Sequence, residues 1–181
     1  MSSQPSNNAL VQQLQLLLTG YGYNFYNKTD QARADDLLVR ERASYYLSQA
    51  VSTLAQLRSE YHIRFIPPLT RANPDPPQEA MAQLRALEAA QQALAKVESS
   101  IRGMSVPSQD RIWWRFRQEQ ALLMQLLNFD LLLVRDSEQI YQYVSRMTPE
   151  DWSNQSSILH QMTQQLARSV TERERFLLLQ L

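Results

Sequence analysis

No cysteine occurs anywhere in the 181 residues of the chain. A disulfide framework, a thiolate nucleophile, an iron–sulfur cluster and a cysteine zinc site are therefore all excluded. Histidine is almost as scarce. The chain has only His62 and His160, and neither falls in the Glu-x-x-His or His-x-x-x-His spacing that sets two ligands on one helix face. No metal and no cofactor is expected. An excess of one charge is missing too: eighteen Lys and Arg balance eighteen Asp and Glu, which removes the broad positive field of a dedicated nucleic-acid or anionic-membrane binder. There is no long apolar run. The greasiest stretch, Ala121 to Val134, is interrupted by Gln125, Asn128 and Asp130 and is too short and too polar to span a bilayer. Met1 to Asn8 contains no basic residue, and the apolar stretch beyond it is broken by Gln12, Gln13 and Gln15, unlike the core of a secretory signal. The expectation is a soluble, cytoplasmic protein.

What the chain has instead is helix-forming material. Leucine (27) and alanine (16) greatly outnumber valine and isoleucine (14 together), the bias of helices rather than strands. The three glycines and eight prolines all fall at position 5, at 20–22, across 67–77, across 103–107 and at 149. Helix interiors exclude both residues, so the intervals read as rods of about 44, 25, 41 and 32 residues before their ends are trimmed. Thr29-Asp30 can cap the first long helix, which Pro67 and Pro68 stop. Asp75-Pro76 offers a cap and an N1 proline to the second, and Gly103 a left-handed exit from it. Ser108 caps the third, and Thr148-Pro149 opens the fourth. A short helix from Asn7 to Thr19 precedes them, after a disordered tail over 1–6.

Apolar residues recur at helical spacing in each rod: Leu47, Val51, Leu54, Tyr61 and Phe65, with Arg58 on the skipped position; Leu84, Leu87, Gln91, Leu94 and Ile101; Trp113, Phe116, Leu123, Leu127, Val134, Tyr141 and Val144; and Leu159, Met162, Leu166, Val170 and Leu177. Each stripe needs a partner. Short connections favour an all-α fold, an antiparallel up-and-down bundle of four long helices plus the short N-terminal one, forming a single domain over 1–181 with joints near 20–28, 67–75, 103–108 and 147–149. Similar seams would also suit an extended helical array or an intermolecular coiled coil. A faint echo links Asp35 through Glu41 to Asp130 through Asp136, with Tyr46 and Tyr141 in step. Helix lengths do not repeat at that offset, so resemblance between Leu-rich helices explains it.

Catalytic signatures do not assemble. Gly20-Tyr21-Gly22 lacks the third glycine and the Lys-Ser/Thr of a phosphate loop. Asp35-Asp36 is followed one turn later by Val39 and Arg40 rather than by further carboxylates, so it reads as a first-turn acidic pair favoured by the helix dipole. A serine triad has no elbow-like turn to stand on.

Three features remain. Tyr21, Tyr23, Phe25 and Tyr26 crowd one connector, either as a recognition surface or as a plug over the end of the bundle. Trp113 and Trp114 lie about 100° apart on a helix, so with Trp113 facing inward, Trp114 faces out between Arg111 and Arg115. Asp130 sits amid Phe129, Leu131, Leu132 and Leu133, where an unpaired carboxylate would cost several kcal/mol. Arg40 or Arg58 is its expected partner, in a pair that fixes helix register; the alternative is that Asp130 reaches solvent. Beyond these three, the run Phe176 to Leu181 either docks on its own bundle or forms a dimer patch. The reading that follows is a non-catalytic protein-interaction or scaffold module that binds a protein partner and can self-associate as a homodimer. Two alternatives compete with it: a regulator binding nucleic acid or a small ligand through the Arg/Trp patch, and an enzyme with an interior carboxylate site around Asp130.

Overall fold

The structure, a computed structural model, describes residues 32–71, 74–104 and 110–179. The expected N-terminal helix and the aromatic connector therefore lie outside the described residues. Five helices follow in order: α1 (Ala32–Phe65), α2 (Gln78–Gly103), α3 (Asp110–Gln118), α4 (Gln120–Val144) and α5 (Trp152–Leu178), with no strand among the described residues. This is an all-α helical bundle. Among the described residues no helix is long and apolar enough to cross a membrane.

α1 packs against α2 and α4, and α5 packs against the same two helices. The four rods thus close a ring in the order α1, α2, α5, α4. Side-chain contacts set their directions. Asp36 of α1 and Asp130 of α4 meet at one pole on the same arginine, the Tyr46 and Tyr141 rings stack midway, and Arg64 reaches Glu150 at the other pole. Hence α1 and α4 run the same way, and each forms an antiparallel hairpin with the helix that follows it. α3 explains the placement of α4. It spans the pole where α2 ends, letting the chain cross to the diagonal corner. The two echoing segments lie side by side in register, sharing one packing seam.

The stripes meet inside the ring. Leu47, Leu54, Leu87, Leu94, Val134 and Leu166 are fully buried in the larger core cluster. A smaller cluster gathers Ile112, Trp113, Phe116, Leu126, Leu127 and Leu177 where α3 folds over the pole. Trp113 is buried and Trp114 exposed, as the 100° step requires. At roughly 1.5–3 kcal/mol per fully buried large apolar side chain, these clusters supply the main force holding the rods together.

Several boundaries move from their expected places. α2 starts at Gln78 behind Pro77, two residues beyond the Asp75-Pro76 signal, with no side-chain cap. α5 starts at Trp152, because Thr148 and Asp151 close a turn on each other through a 2.7 Å hydroxyl–carboxylate bond and a backbone bond. Gly103 is no left-handed exit. It is the last helical residue of α2, and the chain leaves through Met104 in an extended conformation. A Cβ on Gly103 would meet nothing within 4 Å. Gly103→Ala should therefore raise stability by about 0.5–1 kcal/mol, read as a higher urea midpoint at unchanged slope.

The largest departure is the single rod expected from Ser108 to Arg146, which is broken at Glu119. That residue adopts φ −102° and ψ 90° between α3 and α4. Neither proline nor glycine stands there. Burial of Ile112, Trp113 and Phe116 against α4 and α5 overrides a locally favourable helix.

Candidate functional site: a buried ionic layer and the exposed apolar surface

At the pole beneath α3 the two apolar clusters are separated by charge. Arg173 of α5 is 1% exposed, and its Nε donates to Asp130 Oδ1 at 2.7 Å. Its Nη2 lies 2.6 Å from Asp36 Oδ1 on the diagonal helix α1 and 2.7 Å from Asp130 Oδ1. Asp36 also holds Arg40 Nε one turn on at 3.1 Å, and Arg40 donates through Nη1 to the carbonyl of Met104 at the end of α2. One layer thus ties all four corners of the ring. In these contacts two carboxylates face two guanidiniums and each of the four charges has a partner, the condition under which buried ions are tolerated.

Asp130 is buried, as its apolar neighbours imply, and its partner is Arg173 rather than the expected Arg40 or Arg58. Arg40 does belong to the layer, but binds Asp36. Arg58 is excluded from it: its side chain is 40% exposed and lies 3.7 Å from Glu88 on α2. The buried face of α1 runs through Leu54, Leu57 and Tyr61, leaving Arg58 beside it. Asp35 lies in the first turn of α1, as expected, with Asp36 beside it, and both side chains are buried.

The aromatic connector residues Tyr21, Tyr23, Phe25 and Tyr26 lie outside the described residues, as does the side chain of Arg111. Trp114 is exposed as expected. Its neighbour Arg115 is bound to Glu119 at 2.8 Å, so that charge is answered within its own segment. Among the described residues, no group of three or more His, Asp or Glu is placed to hold a metal ion. At the C-terminal end Phe176 packs on Phe116 and Phe129 and Leu177 is buried, whereas Leu178 and Leu179 stay exposed.

Sequence reasoning missed the apolar groove at the joint between α1 and α2. His62, Ile63, Ile66, Pro67, Pro68, Leu69, Pro76 and Met81 line an open groove of about 550 Å³. Ile63 is 77% and Leu69 64% exposed, well above what single core-facing residues show. A second groove runs along α1, where Leu37 and Tyr45 project beside Ser44, Ser48 and Arg102.

Three tyrosines record how tightly the rods close. The Tyr46 phenol is pushed above its ordinary value of 10.0, mainly by burial and further by the Glu138 carboxylate, against a lowering from Arg42. Burial also raises Tyr143, and burial with Glu79 raises Tyr61. The folded chain thus holds these protons more tightly than the unfolded chain. Their contribution to stability is complete below pH 10 and is lost as pH rises through the folded-state values. A spectrophotometric titration should show a late-ionising group of tyrosines in the native protein, merging with the rest on denaturation.

Compared with known proteins, the chain matches no protein-family model, no curated protein and no solved structure.

Proposed function

We propose that this chain is a non-catalytic helical module that binds a protein partner by accepting an amphipathic helix in the groove between α1 and α2. The observation carrying this reading is the exposure of Ile63 and Leu69 over a floor of Ile66, Pro67, Pro68 and Met81. Three prolines line the groove, and proline offers no N–H. An extended peptide therefore finds few backbone partners there, which disfavours strand addition and favours side-chain anchors laid into the groove from a helix. The competing enzymatic reading loses ground because Asp130, its intended acid, is sealed beneath α3 and held by Arg173. The nucleic-acid reading loses ground because Arg115 is paired with Glu119.

Photo-crosslinking from position 63 tests the proposal in cells that make the protein. The expected result is a discrete adduct that disappears in Leu69→Asp and is absent when the crosslinker stands at Glu172, an exposed position on α5. Adducts identical from both positions, or indifferent to Leu69→Asp, would count against it.

A further inference from the structure

Gln118, Glu119 and Gln120 are all good helix formers, yet the helix breaks among them. The interruption is slight. Glu119 still donates its N–H to the carbonyl of Arg115, and its own carbonyl accepts from Leu122 and Leu123. Its carboxylate is still bound to Arg115 one turn back. The backbone torsions of this one residue separate two folded-back helices from a continuous helix over 110–144.

We infer that Glu119 is a hinge through which two copies of this chain exchange their α4–α5 hairpins. The main contacts of the second hairpin with α1 and α2 are interfaces between two parts joined at this hinge: α1 with α4, α2 with α5, and Asp36 of α1 with Arg173 of α5. The ionic layer is divided the same way, with Asp36, Arg40 and Met104 on one side and Asp130 and Arg173 on the other. When α3 and α4 fuse into one rod, the hairpin swings away from its own chain and the same contacts re-form with a second copy. No contact outside the small α3 fold-back is lost, and each hinge gains the helical backbone bonds now missing. The cost is the entropy of joining two molecules, so exchange grows with concentration. Opening also exposes the core, so exchange takes place during refolding rather than in the folded state. This inference is independent of the docking groove, which lies at the opposite pole.

The decisive variant is Gln120→Pro. Position 120 is the first residue of α4, where proline suits the helix start and the missing N–H costs nothing, and Glu119 already has the extended backbone that a residue before proline adopts. In a continuous helix the same proline is penalised heavily. Wild type and variant are refolded from urea at low and high protein concentration, and their masses read by light scattering after size exclusion. Wild type should give a dimer fraction that rises with refolding concentration and persists on dilution. Gln120→Pro should fold as a monomer, with a dimerisation constant lowered by more than about a hundredfold. If the proline variant fails to fold, Glu119→Gly serves the same purpose by weakening the continuous helix, and should lower the dimer fraction. Wild type that stays monomeric when refolded at high concentration, or a dimer equally abundant in the hinge variants, overturns the inference.

Discussion

Arg173→Met should lower the unfolding free energy by about 3–5 kcal/mol, measured by urea denaturation at neutral pH. Methionine fills much of the space of the arginine stem, so lost packing accounts for little of this. The loss arises because Asp130 and Asp36 remain where they are, 0% and 1% exposed, without the guanidinium between them. Asp36 keeps Arg40. Asp130 loses the bonds it receives from Arg173 Nε and Nη2, so a carboxylate that stays fully buried is left with less of its charge answered. A loss below about 1 kcal/mol would mean that the layer is hydrated and that Arg173 is dispensable to it.

Trp113→Ala is the second large effect, with an expected loss of about 3–5 kcal/mol. Trp113 is 1% exposed and lies beside Phe116, which in turn touches Phe176 of α5. The indole is thus part of what holds α3 folded over the ionic layer. Its removal leaves a cavity lined by α3, α4 and α5 side chains and weakens the packing that holds this short helix in place. Trp114→Ala is the natural control. That side chain is 57% exposed on the same short helix, and its removal should change stability by no more than about 0.5 kcal/mol. Equal effects at the two positions would contradict the inward and outward assignment.

The rods were legible, apart from the break at Glu119, and so were the joints at 66–77 and 145–151, because they depend on local chemistry: glycine and proline are excluded from helix interiors wherever the helix packs. The interior stripes were legible for the same reason, since Leu87, Leu94, Val134 and Leu166 are buried where their spacing places them. Asp130 stood out by contrast with its apolar neighbours. Its partner did not, because Arg173 is 43 residues away and only the ring order brings α5 to α4 and α1. One signal did point to it. The α5 stripe runs Leu159, Met162, Leu166, Val170, Leu177, and the position it skips is 173. The same logic misled on α1, where the skipped position 58 lies outside the buried face, because that helix faces two neighbours and its apolar surface is broader than a single seam. The break at Glu119 was hidden for a deeper reason: the residues there favour helix, and only the tertiary burial of Trp113 and Phe116 turns the chain. Exposed apolar side chains at the α1–α2 joint were likewise invisible, since a run such as Ile63 to Leu69 reads as core until the neighbouring rods are placed.

The ionic layer is the claim on which the ring order rests most heavily, because one side chain from α5 reaches both α1 and α4. A double-mutant cycle tests it, with Asp130→Leu, Arg173→Leu and the two together. The account predicts strong coupling: Arg173→Leu takes from Asp130 the bonds of its guanidinium, Asp130→Leu leaves Arg173 to Asp36, and the double variant keeps the Asp36–Arg40 pair in an apolar setting and is more stable than Arg173→Leu alone. Additive losses, with the double variant less stable than either single one by the sum of their effects, would show that Asp130 and Arg173 do not meet in the folded protein and would contradict the structure at its centre.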